Sequence, residues 1–157
     1  MNREEFVLRT NAVKDRLYRT AYVYLGNESD ALEAVDEAVY QALRSLKQLK
    51  QPEYFESWLT RILINECHKE LRRRKRIVTV DVLPDTAGPE EYDHLPLKDA
   101  IRHLPEELRE VVILRFFSGY TQAETAEILR VPQGTVATRQ RRALQLLRLE
   151  LGEEECL

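Results

Sequence analysis

The sequence is short of the residues that organise covalent and metal chemistry: 157 residues include two cysteines and three histidines. Cys67 and Cys156 lie far apart and neither has a CxxC partner, so no disulfide framework or zinc site is expected. His68, His94 and His103 form no ligand spacing of the HExxH kind, and no metal is expected. The five glycines, at 26, 88, 119, 134 and 152, are too scattered to cradle a phosphate, which leaves nucleotide chemistry without a site. No cofactor is expected. No run approaches the roughly 18 apolar residues needed to span a bilayer, and the opening MNREEFVLRTNAV lacks a signal-peptide core. The chain is therefore expected to be cytoplasmic, without membrane insertion, and Cys67 to pack as a small hydrophobe.

What is present points to helices. Hydrophobic residues make up 43% and charged residues 32%, which suits a helical protein rich in Leu, Glu and Arg. The length allows one ordinary domain or two very small ones. ALEAVDEAVYQALRSL, residues 31 to 46, sets Leu32, Val35, Val39, Leu43 and Leu46 on one stripe of an amphipathic helix. The turn before it, LGNESD, offers Ser29 or Asp30 as a cap, so residues 5 to 46 read as a helical hairpin. A third helix starts near Phe55, with Leu59, Leu63, Cys67 and Leu71 stepping by four, and runs into LRRRKR.

Composition then shifts. Residues 77 to 96 hold three prolines, one glycine and the acids Asp81, Asp85, Glu90, Glu91 and Asp93, the mark of an acidic linker. Helical periodicity resumes with LKDAIRHL and LPEELREVVILRFFSG, where Pro105 suits a first helical turn and Gly119 a C-terminal cap. Thr121 and Glu124 form a TxxE capping box ahead of a short helix, Val131 and Pro132 make a turn, and a long helix follows. The expected fold is all-α: two small helical domains, 1–76 and 97–157, joined by the linker 77–96, the second carrying a helix-turn-helix.

Charge is segregated in a chain whose net charge is -3. Residues 130 to 148 carry five arginines and no acid. On the last helix Val136, Ala143 and Leu147 share one side, with Thr135, Thr138, Arg141 and Arg142 broadly opposite. An arginine fork bonds guanine O6 and N7 together, and threonine offers a hydroxyl and a methyl, so this face suits a major groove. A solvated face is the ordinary fate of charges on an amphipathic helix; the acid-free stripe behind a capped helix and turn favours DNA. The second cluster, Arg72, Arg73, Arg74, Lys75 and Arg76, suits a helix C-terminus through the dipole alone. Tyr54, Phe55, Trp58 and Asn65 upstream add aromatic faces suited to unstacked bases, although Phe55 and Trp58 also suit a core. Glu33, Asp36, Glu37 and Tyr40, flanked by Glu28 and Asp30, form an acidic face that repels DNA and fits a basic protein partner.

In this order, these segments resemble a bacterial RNA polymerase sigma factor of the extracytoplasmic-function group. LYRTAYVYLGNESDALEAVDEAVYQAL resembles the family's regions 2.1 to 2.2, FESWLTRILINECHKELRRRKR regions 2.3 to 2.4, and LPEELREVVILRFFSGYTQAETAEILRVPQGTVATRQRRALQLL region 4. The resemblance implies that the first domain binds the beta-prime clamp helices of core RNA polymerase through Glu33, Asp36, Glu37 and Tyr40. It implies that the same domain melts the -10 element, with residues 47 to 57 and Asn65 holding a flipped base, and Tyr54, Phe55, Trp58, Arg72 and Arg73 on the single strand. The second domain would bind the -35 element through Thr135, Ala137, Thr138, Arg139, Arg141 and Arg142, with Arg139 on phosphate, and would meet the beta flap. An anti-sigma partner is implied; a catalytic residue, a small-molecule substrate and enzyme activity are not.

The chain departs from the family pattern at several positions. Glu33 and Asp36 stand in the AxDxxQ-like stretch, Thr125 replaces a usual isoleucine, and Gln140 occupies a usually apolar position. Ala137 stands where a basic residue is common, and Arg141 at a variable position. The alternative is a stand-alone helix-turn-helix regulator that binds duplex DNA without polymerase.

Overall fold

Asn2 opens the first helix. Its Oδ1 accepts from the Glu5 N–H at 2.8 Å, which satisfies one of the amides that a helix start leaves unbonded. The computed structural model describes residues 1–80 and 95–152, and α1 runs Arg3–Leu25. Gly26 ends it with φ 82°, its N–H donating to the Tyr22 carbonyl at 2.8 Å, a backbone turn that a Cβ would penalise. The cap of α2 (Glu28–Arg44) is Asn27, whose Oδ1 accepts from the Asp30 N–H at 2.8 Å. That corrects the expectation of Ser29 or Asp30: Gly26 reverses the chain so sharply that the next residue already caps.

The buried stripe of α2 also differs from the expected one. Ala31, Ala34, Val35, Ala38 and Ala42 are buried, whereas Leu32 is 46% exposed and Val39, Leu43 and Leu46 are half-buried. Alanines at the contact line let neighbouring helix axes approach closely, so the larger side chains flank the seam instead of filling it. Short 3₁₀ turns, Leu46–Gln48 and Pro52–Tyr54, lead into α3 (Phe55–Val80). Leu59, Leu63 and Cys67 are fully buried there and Leu71 half-buried. Burial pushes the Cys67 thiol up to about 12, which keeps it protonated as a packing group. The helix continues past residue 76, where the linker was expected to start. The linker's acids, Asp81, Asp85, Glu90, Glu91 and Asp93, lie outside the described residues, as do His94 and Cys156.

The chain divides into two compact units, residues 1–82 and 83–157. In the second, α4 (Leu95–His103) and α5 (Glu106–Val112) are joined at Pro105, which is the N-cap and not a first-turn residue. Its ψ of 149° is extended, and its carbonyl accepts from Leu108 and Arg109 N–H at 3.0 and 2.9 Å. Arg109 Nη2 donates to the carbonyls of Arg102 and Leu104 at 3.0 and 2.9 Å, satisfying the end of α4.

From α5 the helix widens into a π turn, Ile113–Phe117, that sequence periodicity does not reveal. Gly119 follows at φ 82° with open space around the position a Cβ would take, so backbone sign alone calls for glycine there. Then come α6 (Gln122–Leu129) and α7 (Gln133–Leu151). Val111, Ile113, Leu114, Ile128, Val136 and Ala143 form the centre of this unit's core. Every regular element among the described residues is helical, and none of the helices is long and apolar enough to cross a membrane.

Candidate nucleic-acid and protein interfaces

The helix-turn-helix is held by reciprocal capping. Thr121 Oγ1 accepts from the Glu124 N–H at 3.1 Å while Glu124 Oε1 accepts from the Thr121 N–H at 2.8 Å. α6 ends at Arg130, and the Val131 N–H donates to the Ala126 carbonyl at 3.1 Å. Pro132 then caps α7. Val136, Ala143 and Leu147 are buried; Thr138, Arg141 and Arg142 are placed on the opposite side, with Arg141 and Arg142 exposed and Thr138 lining the same solvent-facing side. Thr135 and Ala137 are half-buried. Arg139 differs from its neighbours, with its Nη2 3.7 Å from Glu107 of α5 and its side chain only 26% exposed.

A hydrogen-bond network that helical periodicity does not reveal orients this face. Gln140 Oε1 accepts from Arg115 Nε at 3.0 Å and from Gln122 Nε2 at 3.3 Å, and Arg115 Nη1 donates to the Tyr120 carbonyl at 2.6 Å. The polar residue at a usually apolar position is thus a shared acceptor that ties α7 to the π turn and to α6. Thr125 is fully buried, and its Oγ1 lacks a hydrogen-bond partner.

In the first unit, Trp58, Asn65 and Arg72 recur at seven-residue intervals along α3. With Arg61, Lys69 and Arg76 they fall within an arc of about 80° at 100° per residue. Asn65 and Arg72 are exposed and Trp58 half-buried, while Tyr54, in the preceding 3₁₀ turn, is 44% exposed. Two of the expected strand-contacting residues lie elsewhere. Phe55 is 3% exposed and sits edge-on to Phe6, ring centroids 5.7 Å apart, so it belongs to the core beneath Trp58. Arg73 turns to the other side of α3, where Nε and Nη2 donate to the two Glu70 carboxylate oxygens at 2.8 Å each. The aromatic and basic composition was legible; which ring faced inward depended on α1.

On α2, Glu33, Asp36 and Glu37 carry the acidic face, and Tyr40 is 55% exposed with the Arg44 guanidinium 5.5 Å from its ring centroid. The acidic face extends onto α3. A cleft of about 290 Å³ is lined by Asp30, Glu33, Glu37, Glu66, Glu70 and Arg73. Gln41 Nε2 bridges its edge, donating to Glu66 at 2.6 Å and Glu37 at 3.3 Å. Arg74 closes one end: it pairs with Asp30, donates to the Leu25 carbonyl at 2.9 Å and reaches Glu70 at 3.1 Å. Burial raises the Asp30 pKa, but hydrogen bonds from Asn27 and Arg74 outweigh it and hold the carboxyl below its ordinary value. Hydrogen bonds from Arg73, and then Arg74, lower that of Glu70.

Both units match known proteins. Residues 10–77 match the model of sigma-70 region 2, and residues 94–147 that of sigma-70 region 4. The RNA polymerase sigma factor SigV of Bacillus subtilis is 36% identical over 148 residues, spanning 90% of this chain and 88% of that protein. The ECF RNA polymerase sigma factor SigM of Mycobacterium tuberculosis is 33% identical over 141 residues, spanning 87% and 72% respectively. The sigma factor RpoE of Bartonella quintana, solved in complex with the anti-sigma factor NepR, superposes with a TM-score of 0.73 at 25% identity, covering 94% of this chain and 97% of that one. The match to both sigma regions, in the same order as the helices that carry the basic and acidic faces, assigns the chain to the sigma-70 family, in its extracytoplasmic-function group.

Proposed function

We propose that this chain docks on core RNA polymerase and directs it to promoters, reading the -35 element with α7 and opening the -10 element along α3. In this reading the first unit, through α3, acts as region 2, the residues between α3 and α4 as the tether, and α4 to α7 as region 4. Glu33, Asp36, Glu37 and Tyr40 meet the beta-prime clamp helices, and the second unit meets the beta flap. The chain works in the cytoplasm, catalyses no reaction itself, and is restrained by an anti-sigma factor.

One observation carries the reading: Arg141 and Arg142 are exposed on α7, beside Thr138, while the opposite side of that helix is buried in a capped helix-turn-helix. Guanidinium forks and hydroxyls on a helix that is anchored from behind are the groups that read base edges in a major groove. Flipping a base at the -10 element costs a few kcal/mol, which stacking on Tyr54 and Trp58 would offset. Acids on α2 and Arg/Lys on α3 and α7 divide the charge by partner, so a net charge of -3 does not conflict with binding DNA.

The test is run-off transcription of genomic fragments by purified core enzyme with and without the chain. Specific transcripts are expected only with it. Arg141→Ala with Arg142→Ala should weaken -35 discrimination by about 1–3 kcal/mol for each base edge that an arginine fork reads; unchanged discrimination would remove the recognition face. Charge reversal at Asp36 and Glu37 should weaken capture of core enzyme.

A further inference from the structure

Arg130 is the one described residue other than glycine with positive φ, at φ 58° and ψ 45°. It ends α6 in the turn of the helix-turn-helix, where its N–H donates to the Ala126 carbonyl. Glycine takes this left-handed position freely, whereas a residue with a Cβ is strained in it. A side chain kept in a strained position at a binding turn points to a use for that side chain.

The side chain here is exposed and forms no ion pair among the described residues. Arg139 of the same acid-free stripe, by contrast, leans on Glu107. Arg130 also precedes the first residue of α7 by three positions, at the end of that helix whose unbonded amides favour an anion.

We propose that Arg130 is a DNA-backbone contact that fixes the recognition helix in the groove by bonding a phosphate beside the N-terminus of α7. The proposal rests on the reading of α7 as the -35 reader and adds to it a contact outside α7. The guanidinium gives the turn a planar fork matched to phosphate oxygens. Because a phosphate contact carries no base identity, Arg130 sets affinity and register and leaves sequence preference to Thr138, Arg141 and Arg142.

The experiment uses the full chain assembled with core RNA polymerase, and two fragments: a promoter recovered by run-off transcription and the same promoter with its -35 element scrambled. Arg130→Gly should weaken binding to both by about three- to tenfold and flatten the slope of log K against log salt by about 0.9. The same substitution should raise the melting temperature of the second unit by about 2–5 °C, because the strain is relieved. Arg130→Lys should retain most of the affinity. Arg130→Gly binding as tightly as the parent, or weakening only on the matched fragment, would overturn the phosphate assignment. Arg141→Ala with Arg142→Ala, run alongside, separates the two readings. If this pair lowers discrimination while Arg130→Gly changes nothing, Arg130 alone is misassigned; if the pair leaves discrimination unchanged, α7 is not the reader.

Discussion

Gln140 on α7 accepts a hydrogen bond from Arg115 Nε at 3.0 Å, across 25 positions of sequence. A charged donor held in this way is costly to orphan, because the guanidinium is left without its acceptor in a partly buried place. Gln140→Leu keeps the bulk and removes the acceptor for both Arg115 and Gln122. It should destabilise the second unit by about 1–3 kcal/mol and speed amide hydrogen exchange in α6 and α7. Exchange unaltered in both helices would mean that the network does not hold them.

Thr125 makes the opposite prediction. Its hydroxyl is fully buried without a partner, so it carries a desolvation cost with no bond in return. Thr125→Val preserves the shape and should stabilise the second unit by about 1 kcal/mol, read as a higher denaturant midpoint at unchanged slope.

The Arg74 cluster makes the first unit sensitive to acid. Asp30 and Glu70 both titrate lower in the folded chain than their ordinary values of 3.8 and 4.5. Their contribution is therefore complete above those values and disappears as pH falls through the folded ones. Trp58, the only tryptophan, lies in this unit and reports its unfolding by fluorescence. Denaturant midpoints should fall below about pH 4.5, and Arg74→Met should flatten that fall. An equally steep fall in the variant would place the acid sensitivity elsewhere.

Phe55 and Tyr54 are adjacent yet should fail differently. Phe55→Ala removes a buried ring packed on Phe6 and should cost about 3–5 kcal/mol of stability. Tyr54→Ala, at an exposed ring, should leave the unfolding curve within about 0.5 kcal/mol and slow promoter opening, measured by permanganate reactivity of unpaired thymines. A Phe55 variant that fails to open promoters yet unfolds like the parent would contradict its place in the core.

Much of this protein is written locally. The TxxE box at Thr121 and Glu124, the four-residue stepping of Leu59, Leu63 and Cys67, and the apolar side of α7 at Val136, Ala143 and Leu147 follow from chain periodicity and short-range hydrogen bonding. The segregation of acids to α2 and arginines to α7 is equally a property of the string. Departures arose wherever a neighbouring helix chose between equivalent local options. Alanines displaced leucines from the α2 seam because close axes reward small side chains. Phe6 on α1 determined that Phe55 turned inward, and Glu70 and Asp30 drew Arg73 and Arg74 to the acidic side of α3. The Arg115–Gln140 bond required the π turn to meet α7. Periodicity along one helix specifies which faces exist, but the face that is covered, and the cation that is neutralised there, depends on groups distant in sequence that only packing brings within bonding range.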